Sequence, residues 1–394
     1  MVRMGQGQPR KLVLLGATGS IGRSAQDVIA HAPEGSFEVV AVAGGRDVAS
    51  LADVAQRFKV RFAALADESC GPALAEALSG SGIASGAGAS AVIEAALQEA
   101  DMVVGAIAGA AGVLPTHAAL AAGRTVALAN KECLVCAGAP FMRTAARVGA
   151  KILPMDSEHN AIFQALGGEP IAHVERMILT ASGGPFRTWS AQAIAAATPE
   201  QALAHPNWSM GPKVTIDSAS LMNKGLELIE AFHVFGIEAE RLGVLVHPQS
   251  IVHGLISFAD GAVTAGMAVP DMRAPIAHCL SYPTRVATRA NRLDLAAIAT
   301  LTFEEPDLKR FPALRVAMAA LRAGGSLPTV LNAANEIAVA KFLSREISFN
   351  KIADLVERVC ENYLRIAKGA EPETIEHALE IDEIARDLAR HLAA

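Results

Sequence analysis

The sequence predicts an α/β chain in parts: a doubly wound, largely parallel sheet over residues 1–155, an α+β domain over 156–285, a linker at 286–312 and a helical bundle at 313–394. Three observations carry this prediction. Short apolar runs alternate with helical periodicity from Lys11 to Met155, and no hairpin signal separates them. From Val244 the periods shorten to strands, broken at Asp260 and Gly261 by a strong hairpin signal. Beyond Pro312, segments 313–323, 328–344, 350–366 and 373–392 repeat apolar residues at helical spacing; the last sets Ile375, Leu379, Ile384 and Leu388 on one stripe. At 394 residues the chain exceeds the size of a single core, so several domains are expected.

Composition narrows the function classes. Hydrophobic residues make up 52% but aromatics only 4%, so alanine-rich helices should pack closely. A net charge of −6 supplies no field for gripping nucleic acid, and any phosphate must be held by a local site. The apolar run from Val103 to Ala129 is cut by Pro115, His117 and Arg124, which fits a buried strand and helix better than a membrane span. The leading MVRMGQGQPRK is too short and polar for a targeting segment, so the expectation is a cytoplasmic protein. Five scattered cysteines suit a reducing compartment. Cys133 and Cys136 form a lone C-L-V-C pair on a helical stretch and read as buried thiols rather than a zinc or redox site.

KLVLLGATGSIGRSAQDVI at 11–29 is a buried strand, a glycine turn and a helix, with Gly16, Gly19 and Gly22 spaced G-x-x-G-x-x-G. Thr18, Ser20 and the helix's first amides would face a pyrophosphate, as in a Rossmann-type domain. FEVVAVAGG at 37–45 follows at the interval of a βαβ unit. Where an acid would bind a ribose, the chain has Gly44, Gly45 and Arg46; the arginine favours a 2′-phosphate, while Asp47 leaves a solvated Arg–Asp pair as the alternative. LANKE, ending at Glu132, leaves a strand's carboxyl end and offers Lys131 as a ligand contact.

Asp156 and Glu158 stand two apart after an apolar strand, so extended backbone would point both carboxylates the same way. Glu227 falls on a helix expected to begin near Ser220, with Leu221, Leu228, Ile229 and Phe232 as its apolar face. Three carboxylates without a His/Cys cluster suit a hard divalent ion, Mg²⁺ or Mn²⁺; ordinary surface acids are the alternative. ASGGPF at 181–186 offers amides and Ser182 to an anion. A helix is expected over Ala191–Ala197, and the segment 182–212, with Trp189 and Trp208, has the make-up of a lid. Asn335 and Glu336 would face solvent or a neighbouring domain.

In order along the chain stand GATGSIG, ALANKE, LPMDSEHNAIFQ, ASGGPFR, HPNWSMGPKVTIDSASLMNKGLELIEA, HPQSIVHG and PDMRAPIAHCL. This series resembles the 1-deoxy-D-xylulose 5-phosphate reductoisomerase family from about residue 11 to the terminal bundle. The resemblance implies an NADPH-dependent, divalent-metal enzyme of the methylerythritol phosphate route to isoprenoids, a homodimer acting on a sugar phosphate. By motif, Asp156, Glu158 and Glu227 would hold the ion, and Ser182, Ser218, Asn223 and Lys224 the substrate phosphate. Lys131, Ser157, Glu158 and His205 would serve the reacting centre, with Trp208 on a closing flap. Thr18, Gly19, Ser20, Ile21, Gly44, Gly45, Arg46, Asn130, Lys131, Glu132, Met210 and Gly211 would line the cofactor. Asp47, Ala268 and Val269 depart from the family's common residues. A semialdehyde dehydrogenase-like enzyme with Cys133 as nucleophile, and a non-catalytic NADP sensor, are the competing readings.

Overall fold

A computed structural model describes residues 8–208, 210–367 and 369–393. They form two compact units. The first takes the chain through Cys133 with Phe141–Asn160 and Asp271–Asn291; the second takes Leu134–Pro140, Ala161–Pro270 and Arg292 onward.

The first unit is built on a parallel sheet of seven strands in the order β4-β3-β2-β1-β5-β6-β7. These are β1 (Arg10–Leu15), β2 (Phe37–Gly44), β3 (Phe62–Leu65), β4 (Ala84–Ala87), β5 (Met102–Gly105), β6 (Thr125–Leu128) and β7 (Ile152–Pro154). Helices α1 (Ser20–His31), α2 (Val48–Phe58), α3 (Gly71–Ala77), α4 (Ala89–Leu97), α5 (Val113–Ala121) and α6 (Glu132–Val148) make the crossovers. The strand order reverses between β1 and β5, which places the ligand crevice of such a sheet at the carboxyl ends of those two strands. The core behind it is small-chained: Ala41, Ala43 and Ala64 on strands meet Ala91, Ala95 and Ala96 on α4. The run from Val103 to Ala129 is divided among β5, α5 and β6, and no helix among the described residues is long and apolar enough to cross a membrane. β4 was not expected; its Ala-Ser-Gly-Ala carries no branched or aromatic strand former, and only pairing with β3 makes it a strand.

Helix α7 (Ser157–Leu166) follows β7 directly, so the expected extended backbone through Asp156 and Glu158 is corrected: Asp156 precedes the helix and Glu158 lies in its first turn. The second unit contains a four-stranded sheet, β11-β10-β8-β9, from β8 (Val174–Ala181), β9 (Leu242–Val246), β10 (Val252–Phe258) and β11 (Val263–Met267). Its expected antiparallel character holds for β10 with β8 and β11, but β8 and β9 run parallel. The 60 residues between them are spent on a helical crossover that returns the chain in the same direction: α8 (Ala191–Ala195), α9 (Pro199–Leu203), α10 (Pro212–Ser220) and α11 (Met222–Phe235). The helix expected to start near Ser220 is thereby corrected. α10 ends at Ser220, Leu221 takes φ 62°, and α11 starts afresh at Met222. Phe232, assigned to the apolar face, is 36% exposed.

After β11, α12 (Arg273–Ser281) docks on α1 in the first unit: Arg10 Nη1 donates to Leu280 O at 2.6 Å and Arg273 lies 3.4 Å from Asp27. Residues 286–312 therefore divide between the units around a short α13 (Leu295–Ile298) instead of forming a free linker. The terminal helices α14 (Pro312–Ala323), α15 (Leu327–Leu343), α16 (Asn350–Ile366) and α17 (Ile375–Leu392) match the expected periodicity and share a core with the four-stranded sheet. α15 is buried without interruption from Leu327 to Asn335, and Leu331, Ala334, Ala338 and Phe342 are among its core residues. On α17 the buried stripe is Ile375, Ala378, Ile381, Ala385 and Ala389, while Ile384 is exposed, one residue out of register with the expected stripe.

Candidate active site

At the carboxyl end of β1 the chain turns through Gly16 at φ 83°, where a Cβ would lie 2.3 Å from Ala106 O, so only glycine fits. Gly19 then caps α1 with no side-chain hydrogen bond, leaving the helix's first amides for an anion. Thr18, Ser20 and Ile21 sit on this turn, and Gly44 ends β2 beside Thr18. Asp47 is not the partner of Arg46: its carboxylate caps α2 through Ser50 N and Oγ at 3.0 and 2.6 Å. Those bonds hold the Asp47 carboxyl below the usual range. Arg46, 80% exposed, reaches instead to Asp67 at 3.0 Å, a solvent-screened pair that a phosphate could displace at little cost.

Asn130 is tied to the fold: its Oδ1 accepts from Cys133 N at 3.2 Å and its Nδ2 donates to Gly109 O at 3.0 Å. It thus fixes the start of α6, where Lys131 and Glu132 are buried. Lys131 Nζ lies 2.8 Å from Asp156 Oδ2, both side chains largely shielded from solvent. Ser157 Oγ donates to Glu158 Oε2 at 2.5 Å. The first unit therefore brings together Lys131, Asp156, Ser157 and Glu158. Cys133 is fully buried and donates toward Gly112 O, which is no place for an attacking thiolate.

In the second unit β8 ends in the glycine turn Ser182-Gly183-Gly184. Gly184 has φ 67° and approaches Ser218 so closely that a Cβ would meet its carbonyl at 2.9 Å. The stem beyond is pinned by Phe186, whose ring lies 4.7 Å from Trp189 and 5.0 Å from Phe349, and by Arg310 donating to the Arg187 and Trp189 carbonyls. Trp189 is an anchor of this stem. After α9 the chain reaches His205, whose Nε2 lies 3.1 Å from Ser182 Oγ and 3.0 Å from Ser218 Oγ. Its Nδ1 accepts from the Asn207 and Trp208 amides at 3.2 and 3.0 Å. Since Nδ1 is an acceptor, the imidazole is neutral with its proton on Nε2, and burial lowers its pKa to keep it so. An Nε2–H shared by two hydroxyls leaves both hydroxyl protons free to turn toward an anion.

Asn223 and Lys224 lie in the first turn of α11 and both donate to Glu227, with Lys224 and Glu227 almost wholly buried. Ser182 follows β8, His205 follows α9, Ser218 lies in the last turn of α10, and Asn223, Lys224 and Glu227 lie in the first two turns of α11. Trp208 sets its ring edge-on to His253 at 6.2 Å; Met210 and Gly211 lead into α10, which Gly211 caps without a side-chain bond. Three contributors went unread in the sequence. Asn207 ties down the segment after His205 by donating to Ser250 Oγ at 2.8 Å and Pro248 O at 2.9 Å, His253 packs against Trp208, and Asp217, the residue before Ser218, is buried. The only sequence signal for the first two is the repeated His-Pro pairing of HPNW and HPQS, which says nothing about contact.

Fold and site define a nucleotide-dependent enzyme acting on a phosphorylated small molecule. The 1-deoxy-D-xylulose 5-phosphate reductoisomerase model matches residues 12–138, the model of that enzyme's C-terminal domain residues 152–235, and the DXP reductoisomerase C-terminal domain model residues 267–388. The 1-deoxy-D-xylulose 5-phosphate reductoisomerase of Afipia carboxidovorans is 55% identical over 99% of this chain and 95% of its own length. That of a Bradyrhizobium species is 55% identical over 97% and 94%. Among solved structures, the Zymomonas mobilis enzyme in complex with NADPH superposes with a TM-score of 0.91 at 47% identity, covering 98% of this chain and 99% of that one. A DOX-P reductoisomerase bound to NADPH, fosmidomycin and magnesium gives 0.93 at 38% identity, covering 98% of each. The chain belongs to the 1-deoxy-D-xylulose 5-phosphate reductoisomerase family.

Proposed function

We propose that this protein converts 1-deoxy-D-xylulose 5-phosphate to 2-C-methyl-D-erythritol 4-phosphate, using NADPH and Mg²⁺ or Mn²⁺, in the cytoplasmic route to isoprenoids. The observation that carries the reading is the cluster of Ser182, His205 and Ser218, three neutral donors on the same crossover as Asn223 and Lys224, in a chain 55% identical to named relatives. Ser182, Ser218, Asn223 and Lys224 hold the substrate phosphate, with the His205 Nε2–H bracing the two hydroxyls. Lys131 and Ser157 orient the reacting hydroxyl and carbonyl oxygens, while His205, expected among them, has both ring nitrogens engaged and acts on the phosphate side; Trp208 closes over the carbon skeleton to exclude water.

The donors fit a hard cation: carboxylate oxygens of Asp156, Glu158 and Glu227, each in reach of a compensating lysine or hydroxyl, with no thiolate among them. A bound divalent ion supplies Lewis-acid polarisation of vicinal substrate oxygens, and NADPH supplies the hydride. Thr18, Gly19, Ser20 and Ile21 would cradle the pyrophosphate, Gly44, Gly45 and Arg46 the 2′-phosphate, Asn130, Lys131 and Glu132 the ribose side, and Met210 and Gly211 the nicotinamide. The purified protein should oxidise NADPH with deoxyxylulose phosphate and Mn²⁺, lose that activity to EDTA and recover it with added Mn²⁺. Turnover indifferent to EDTA would remove the metal from the reading.

A homodimer is part of the same proposal. Among the described residues β11 pairs only with β10, and its outer edge, with Val263 58% and Met267 38% exposed, is the kind a second copy would cover. Light scattering behind size exclusion should give twice the 40.8 kDa chain mass, and a monomer at micromolar concentration would refute it.

A further inference from the structure

Asp217 and Asn335 have no part in the roles above, yet both are buried, at 1% and 0% exposure, and they meet. Asn335, in the middle of α15, donates from Nδ2 to Asp217 Oδ1 at 2.7 Å across 118 residues of sequence. Lys213, one turn back on α10, sets Nζ 3.0 Å from Asp217 Oδ2. A carboxylate buried this deeply persists only with such partners. Asn335 Oδ1 accepts from nothing among the described residues, so the amide is oriented for the bond to Asp217 at the expense of its own carbonyl.

Asp217 is the residue before Ser218, so the two side chains leave α10 about 100° apart: one faces α15 while the other faces His205. α10 spans only Pro212–Ser220 and is cut off from α11 by the left-handed Leu221, so its rotation is set by what its own side chains meet: Ile216 and Ala219 in the core, and Asp217 on Asn335. Ser220 Oγ, donating to Asp217 O at 3.2 Å and accepting from Met222 N at 3.3 Å, braces that break. Gly225 brings α11 against α14 so closely that a Cβ would lie 2.2 Å from Ala317 Cβ. The terminal bundle thus braces both helices that carry the phosphate donors.

We propose that Asn335 is a positioning residue: through Asp217 it sets the rotation of α10 and so aims the Ser218 hydroxyl at the substrate phosphate. This rests on the phosphate reading above and makes the terminal bundle part of the site. The test uses the full chain and inorganic phosphate, titrated calorimetrically, with NADPH affinity and melting temperature measured alongside. Asn335→Asp sets two carboxylates against each other; the exchange Asp217→Asn with Asn335→Asp restores a donor and an acceptor in reversed order and removes the Lys213–Asp217 ion pair. Phosphate affinity should fall about tenfold in Asn335→Asp and Asn335→Ala, return to within about threefold in the exchange, and leave NADPH affinity within about twofold. The proposal is overturned if Asn335→Asp binds phosphate like the unaltered chain, if the exchange is no better, or if phosphate and NADPH affinity fall together. Failure of all three variants to fold would likewise reduce Asn335 to a folding role. An unaltered chain that binds phosphate but does not turn over deoxyxylulose phosphate sinks the reaction, and the positioning measurement still decides this proposal; one that binds no phosphate overturns it.

Discussion

Asp156→Asn is expected to abolish nearly all turnover while NADPH affinity stays roughly as it was. The change is isosteric and removes one charge at the end of β7, where the side chain is shielded and paired to Lys131 at 2.8 Å. Two losses coincide. A divalent ion loses one of three proposed carboxylate ligands, and Lys131 loses the anion that holds its ammonium in place. Lewis-acid stabilisation amounts to several kcal/mol, so a rate loss on the order of 10² to 10⁴ is expected. The glycine turn before α1 and the Arg46–Asp67 pair lie on other strands of the sheet and are not altered, so cofactor affinity falls only by the share that the loosened Lys131 contributes on the ribose side. Single-turnover NADPH oxidation, with Mn²⁺ affinity measured by calorimetry and a melting curve to control for stability, checks this. Unchanged turnover would mean that Asp156 is not a ligand.

What the sequence disclosed was local, and what it withheld was long-range. β1, its glycine turn and α1 were readable because strand, turn and helix adjoin in sequence and each glycine has a steric reason to be there. The terminal helices were readable because α16 and α17 each bury one face against a core, which leaves a periodic mark. β8 escaped notice because Glu175 and Arg176 interrupt its apolar character at one end, and its strand nature comes from pairing with β10 and β9. Arg46 could not be interpreted from its neighbour: Asp47 is occupied as a helix cap, and the true partner lies 21 residues on at Asp67. For Asn335 the helical spacing left solvent and a neighbouring domain both open, because its partner is on α10, 118 residues away. The polar density of 205–227 was visible at once, whereas its division at Leu221 was not, since no glycine marks that left-handed residue.

That division matters for His205, where alanine should lower kcat/KM on the order of 10²-fold, because the imidazole does two jobs at opposite nitrogens. Losing the Nε2–H that braces Ser182 and Ser218 for a charged phosphate removes about 1.5–3 kcal/mol, and losing the Nδ1 acceptor frees the Asn207–Trp208 turn as well. Two conservative variants separate these jobs. His205→Asn places an oxygen where Nδ1 stood and should keep the turn while weakening phosphate binding; His205→Gln places an amide where Nε2 stood and should do the reverse. Trp208 fluorescence reads the turn, although Trp189 contributes a constant background from the anchored stem. Acid should act through the same residue. Burial depresses the folded-state pKa below the ordinary 6.5, so as pH falls the unfolded chain takes up this proton first and His205's contribution to stability declines. That decline begins near 6.5 and levels off once the folded imidazole is protonated too. Protonated Nδ1 would then confront the two amides it now accepts from, so the turn should open only below the ordinary histidine range. An opening centred at or above 6.5, or one that persists unchanged in His205→Asn, would show that another group controls the flap.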